Sequence, residues 1–271
     1  MNTNPILVSI ILPTYNRSNL LPKSIESCLN QTYRHIELII VDDGSTDNTK
    51  NIVKTYEDKD SRVKYFKKQN GGLPKALNYG FKHAKGLLFT WTSDDNEYLP
   101  NAIETMVKKS LDFASPCLIY TDFWSSSKLN PKELIKLSSQ NKLNESNHIG
   151  ACFLYNREIR DKIGDYDTDL FLAEDYDYWV RIGKKFPIVH IDEPLYIYTY
   201  HDGSLTNRRK LSIRLAVLFL KRKHNFIDKE TGFKEFNDVI HNFRKARSIE
   251  LKEKTGILIT AYLKGLRYFL I

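Results

Sequence analysis

At 271 residues, with 27% charged, 41% hydrophobic and 12% aromatic side chains, the chain has the make-up of a globular protein that fills one large domain or a domain with an appendage. Its formal net charge of +8 is uneven: residues 205–271 carry 16 Lys/Arg against 6 Asp/Glu, so the basic surplus is C-terminal. No helix-turn-helix, zinc-finger or RNA-binding signature accompanies that surplus, which excludes nucleic acid as the expected partner and leaves anionic lipid headgroups or a phosphate-bearing acceptor.

The elements alternate from the start. The run Val8 to Leu12 is apolar, β-branched and stopped by Pro13, as expected of a strand covered on both faces. With no basic region ahead of it, it reads as a strand rather than a signal peptide. Leu21, Ile25, Cys28 and Leu29 share one helical face, and Glu37 to Val41 forms a second strand that runs into Asp42-Asp43-Gly44-Ser45. A helix over Asp47–Tyr56, a strand over Val63–Phe66, a helix over Leu73–Ala84 and a strand over Leu87–Trp91 follow. This order predicts βαβ units and a Rossmann-like, mostly parallel sheet flanked by helices.

Beyond Asp95 the pattern predicts a helix near 101–109, a strand at 117–121, a polar stretch at 125–147 read as a flap or acceptor loop, and a strand at 149–155. A helix opens at Glu174, and two strands, 188–191 and 195–200, close a domain spanning residues 1–206. Residues 207–271 form a basic, helical C-terminal region. Cys28, Cys117 and Cys152 give neither a disulfide framework nor a metal pattern and fit a reducing cytoplasm.

Polar groups follow four strands: Pro13-Thr14-Tyr15-Asn16, Asp42-Asp43-Gly44-Ser45, Asn70-Gly71-Gly72 and Ser93-Asp94-Asp95. Each alone suits a tight turn or a helix cap. Together, at the carboxyl edge of one parallel sheet, they gather where such folds bind ligands. Paired carboxylates there suit a hard divalent cation carrying phosphates.

With these motifs in place the chain resembles an inverting glycosyltransferase of family 2, with the GT-A fold, over roughly residues 6–206. Pro13-Thr14-Tyr15-Asn16 resembles the opening motif, Val41 to Asp47 the nucleotide-binding motif, Ser93-Asp94-Asp95 a Ser variant of the DXD motif, and Glu174-Asp175 the catalytic acidic pair, with Trp179 and Arg181 downstream. The resemblance implies that Thr14, Tyr15 and Asp43 contact base and ribose, Asp94 the ribose, and Asp95 a metal, Mn2+ or Mg2+, bridging the diphosphate. It implies Asp175 as general base with Glu174 in support. The segment Asn70 to Asn78 matches a family motif except that Leu77 stands where Arg is usual, with Lys75 as a substitute. In the closing segment Thr199 replaces an Arg, and His201 falls where the family often places a histidine near the metal.

The residue types fit the reaction independently. Displacing a nucleoside diphosphate needs charge relief on the leaving group and a base for the attacking hydroxyl. The expected activity is metal-dependent transfer of a sugar, with inversion, from a nucleotide-sugar donor, UDP-linked, to a saccharide or lipid-linked acceptor in cell-surface polysaccharide or glycolipid synthesis. Asp43, Asp94 and Asp95 are expected to repel a bare diphosphate, so that binding needs the metal. A sugar-phosphate nucleotidyltransferase would show a Gly-rich loop after the first strand, which Pro13 to Arg17 lacks; a catalytically silent nucleotide-binding module would not need Asp95 and Asp175. Residues 257–271 are too short and charged to span a bilayer. Their helical pattern suits either an anionic interface at the inner face of the membrane or docking on the domain or a second subunit of a homodimer.

Overall fold

The structure is a computed structural model that describes residues 5–127, 132–245 and 268. The elements run β1 (Val8–Thr14), α1 (Leu21–Leu29), β2 (Ile36–Asp42), α2 (Thr49–Glu57), β3 (Val63–Lys67), α3 (Leu73–His83), β4 (Leu88–Trp91), β5 (Glu97–Tyr98) and α4 (Ala102–Ser110). They continue through β6 (Leu118–Ser127), β7 (Glu133–Ile135), β8 (Phe153–Asn156), α5 (Arg157–Ile163), α6 (Glu174–Gly183), β9 (Ile188–Tyr200), α7 (Leu205–Arg208), α8 (Lys210–Lys223) and α9 (Lys229–Lys245). Strands pair in the order β3-β2-β1-β4-β8-β6-β9-β5, with β7 on β6. The first four are parallel; the sheet turns antiparallel at β8, and β6 and β9 are parallel to each other.

Side chains of a strand alternate between faces, and here both faces are apolar. Ile11, Ile39 and Val41 join one core with Leu77 and Phe81 of α3, Trp179 of α6 and Phe219 of α8. Ile10, Leu12, Leu38 and Ile40 join the other with Ile25 of α1 and Ile103 and Met106 of α4. The continuous apolar runs of β1 and β2 follow from this double coverage. Contact with α3 is close enough that a Cβ on Gly80 would lie 2.5 Å from Ile11 Cγ2 and 3.0 Å from Val41 Cγ2.

The structure differs from the sequence reading in several places. The two expected closing strands are one strand, β9, because the register against β6 jumps from Thr121–Ile191 to Asp122–Pro194, a bulge that takes up the proline. The polar stretch is partly ordered by pairing: β6 runs on to Ser127, and β7 lies antiparallel to it. Helix α5 and strand β5 were not foreseen, and the strand expected at 149–155 is confined to β8, Phe153–Asn156. The C-terminal segment 257–271, read as an interfacial or docked helix, lies outside the described residues except for Tyr268, whose ring stacks on Phe219 at 5.3 Å. Among the described residues no helix is long and apolar enough to cross a membrane.

Candidate active site

The carboxyl ends of the parallel strands open into a cavity of about 660 Å³. Pro13, Thr14, Tyr15 and Arg17 line it from the β1 end, Asp43 from β2, Gly72 from the loop before α3, Ser93, Asp94 and Asp95 from β4, and Glu174 and Asp175 from the first turn of α6. Parallel register makes this convergence: Thr14 pairs with Asp42 and Ile11 with Trp91, so the residues just beyond each strand end side by side.

Each carboxylate on the strand side has a partner. Asp43 accepts N–H bonds from Gly71 at 3.0 Å and Gly72 at 2.7 Å and pairs with Lys68 Nζ at 2.5 Å. The preceding loops approach so closely that a Cβ on Gly44, at φ +90°, would lie 2.9 Å from the Asn70 nitrogen. Asp94 accepts from Thr14 Oγ1 at 2.7 Å. Burial, and then the neighbouring Asp95 charge, pushes the Asp94 carboxyl up to about 7. Asp95 Oδ2 accepts from Arg17 Nη1 at 3.0 Å and lies 2.9 Å from His201 Nε2. The expected unscreened acidic cluster is therefore absent, since Lys68 and Arg17 supply cations beside two of its three members.

At the start of α6, Asp175 Oδ1 accepts from the Tyr176 N–H at 2.7 Å and Oδ2 from Asn147 Nδ2 at 3.2 Å. Burial nonetheless raises this carboxyl above the ordinary carboxylate range. Glu174 is raised by burial and then by the Asp175 charge. Its Oε2 accepts from the Leu172 N–H at 2.6 Å, holding a bulky residue at φ +78° in the loop that carries Phe171 into the cavity.

Other sequence-predicted residues are not among those lining the cavity. Asn16, at φ +52°, accepts the Thr46 N–H at 2.8 Å and joins the β1 and β2 loops. Asn70 donates to the Asp43 carbonyl at 2.9 Å. Lys75 is exposed beside Gly71. Trp179 is fully buried against Phe153, with ring centroids 4.5 Å apart. Arg181 pairs with Asp177 at 2.8 Å and donates to the Ile163 and Asp165 carbonyls at 2.9 Å, tying α6 to the segment before it. Three residues at the site were not singled out from sequence: Lys68, Asn147 and Arg17.

The donor set fits a divalent ion. Asp95 Oδ2 and His201 Nε2 converge, and a Cβ on Gly203 would stand 3.0 Å from His201 Nδ1, so glycine leaves the imidazole its place. Among the described residues no group of three or more His, Cys, Asp and Glu is placed to hold a metal. A hard ion that draws its remaining ligands from water and substrate phosphates needs only one or two protein groups.

A curled, mostly parallel sheet carrying acidic groups on its carboxyl edge, with the α6 carboxyl pair lining the same cavity, is the GT-A arrangement of a glycosyltransferase. The chain belongs to the family described as Glycosyl transferase family 2, which matches residues 9–164. An uncharacterized glycosyltransferase of Rickettsia typhi is 32% identical over 298 positions, covering 99% of this chain and 92% of that protein. Against two other Rickettsia relatives the chain spans about half their length, 48% and 49%. Among solved structures, S. aureus TarS 1–349 in complex with UDP-GlcNAc superposes with a TM-score of 0.63 at 18% identity, over 97% of this chain and 73% of that one. The mannosyltransferase PcManGT from Pyrobaculum calidifontis, in complex with GDP-Man and Mn2+, gives 0.64 at 15% identity, over 97% and 88%. At these identities the likeness is one of fold.

Proposed function

We propose that the chain transfers a sugar, with inversion, from a nucleoside-diphosphate donor to an acceptor hydroxyl. The observation that carries this reading is that Asp95, just beyond β4, and Asp175, in the first turn of α6, line one cavity. The strand-end wall takes the donor, with Thr14, Tyr15 and Asp43 toward the nucleoside and Asp94 toward the ribose. Asp95 and His201 hold the divalent ion, which supplies charge relief for the departing diphosphate. Asp175 takes the proton of the acceptor hydroxyl as its oxygen bonds to the anomeric carbon and the carbon–phosphate-oxygen bond breaks. Burial raises its proton affinity, which suits a base. The N–H of Tyr176 and the Asn147 amide hold the carboxylate in place.

The β6 and β9 wall, with Phe123, Tyr198 and Tyr200, is aromatic and suits the apolar faces of a sugar. We therefore assign the acceptor as a saccharide, free or lipid-linked. A UDP-linked donor fits the likeness to the UDP-GlcNAc complex, and Mn2+ the likeness to PcManGT. Thermal melting with UDP- and GDP-sugars, with and without Mn2+, tests donor binding, because a ligand of the native state raises Tm. Asp95→Ala is expected to remove the metal-dependent part of the shift. Equal Mn2+-dependent shifts in wild type and Asp95→Ala, or a product that NMR shows to retain its anomeric configuration, would refute this assignment.

A further inference from the structure

Arg17 has no part in the reaction above, yet its guanidinium is set among the groups assigned to the ion. Nη1 lies 3.0 Å from Asp95 Oδ2 and 3.2 Å from His201 Nε2, while Nη2 donates to the Gly203 carbonyl at 2.8 Å. The Arg17 side chain is only 21% exposed, so the contact is a built one. An arginine nitrogen donates and cannot accept. Nη1 therefore donates to Asp95 Oδ2, which also lies 2.9 Å from His201 Nε2 and accepts its N–H in the tautomer that carries one there. A divalent ion bound by Asp95 and His201 needs a lone pair from each, and Nε2 has only one. With Nη1 3.2 Å from Nε2, the guanidinium occupies the approach to that lone pair, so the ion and the Arg17 arm compete there.

We propose that Arg17 is an internal cation of the diphosphate site. In the metal-free protein it holds the Asp95–His201 pair; the ion displaces it from both; the freed arm, still anchored through Gly203, then binds a diphosphate oxygen. Arginine suits the last role because its charge is permanent and its planar fork matches phosphate oxygens. Two consequences follow that a loop-anchoring role does not give. Removing Arg17 removes a competitor and a positive charge from beside the ion, so metal binding without nucleotide becomes tighter. It also removes the cation that meets diphosphate when no metal is present, so metal-free nucleotide binding becomes weaker.

The inference rests on the donor reading above, and the test separates the two. Mn2+ is titrated into the full chain without nucleotide, free ion being read by electron paramagnetic resonance, and UDP binding in EDTA is measured by calorimetry. Wild type, Arg17→Ala and Arg17→Gln are compared, with circular dichroism melts to follow the fold. For a charge a few ångströms away at a partly buried site, Mn2+ affinity in both variants is expected to rise about fivefold or more. The UDP affinity in EDTA is expected to fall by about as much. Should Arg17→Ala melt early, Arg17→Gln retains a hydrogen-bond donor without the charge and gives the reading. Mn2+ affinity unchanged or weakened in the folded variants, or metal-free UDP affinity unchanged, overturns the role of Arg17 while leaving the donor site standing. Wild type that binds neither UDP nor Mn2+ overturns the donor reading itself.

Discussion

Asp175→Asn separates chemistry from architecture, because the substitution keeps the shape of a side chain whose charge is unwelcome in the fold. The Tyr176 N–H at 2.7 Å can still be accepted by the amide oxygen. The other position brings an NH2 against Asn147 Nδ2, now 3.2 Å away as a donor, and Asn147 is itself held by the Ile149 N–H at 3.3 Å. One local hydrogen bond is lost, which costs about 1 kcal/mol. Against that, burial raises the Asp175 carboxyl, so its ionised form destabilises the native state at neutral pH, and removing the charge returns that energy. The Tm is expected to stay level or rise. Turnover is expected to fall ~10²-fold or more, the scale of a lost general base, with donor affinity nearly unchanged. Single-turnover transfer to the true acceptor, beside UDP calorimetry and a melt, reads all three. Near-wild-type turnover would return Asp175 to the role of a helix-start carboxylate, and a fall in Tm matching the loss of activity would make the effect structural.

Glu174 is raised by burial and then by the Asp175 charge, so the native state holds a proton that the unfolded chain releases above the ordinary glutamate value of 4.5. Stability from this group is present at low pH and lost as pH rises, and Glu174→Gln is expected to flatten that fall in melts across the range while costing turnover less than Asp175→Asn. Asp43→Asn removes the charge that Lys68, Gly71 and Gly72 share, and by calorimetric melts is expected to cost about 1.5–3 kcal/mol and to weaken UDP binding. Gly80→Ala forces a methyl to 2.5 Å from Ile11 Cγ2 and is expected to destabilise by about 1–3 kcal/mol in urea, with no change in KM for the donor in the folded fraction. On anionic vesicles, flotation of the full chain against one ending before Thr255 tests the membrane role of the C-terminus; equal flotation removes it.

The donor wall was legible because two regularities coincide there. A strand covered on both faces reads as an unbroken apolar run, so Val8–Leu12, Glu37–Val41 and Leu87–Trp91 announce themselves, and parallel strands carry whatever follows them to the same edge. Position along the chain then stands in for position in space. No such rule reaches Arg17 and Lys68. Arg17 meets Asp95 and His201 across 78 and 184 residues, and Lys68 meets Asp43 across 25, so neither contact leaves a periodic trace. Proline 194 hid the continuity of β9, since a proline in a strand ordinarily marks its end and here sits at a bulge.

The same distinction explains why the motif residues of α6 fall into different roles. A helix turns 100° per residue, so only some of Glu174, Asp175, Trp179 and Arg181 can face the cavity. Asp175, in the first turn, reaches it, whereas Trp179 one turn on is already under Phe153 in the core. Arg181 stands four residues after Asp177, and that carboxylate is shared with Lys223 and His224 at the end of α8. Burial there would raise the Asp177 carboxyl, but the His224 hydrogen bond and the Arg181 and Lys223 charges hold it well below the ordinary range, so its charge is stabilising. Within one helix, then, a carboxylate whose charge is matched fixes α6 to α8, and two carboxyls whose charge is opposed sit at the cavity. Loss of the Asp177 pairings should therefore loosen α6 and lower turnover through Asp175 without any contact to substrate.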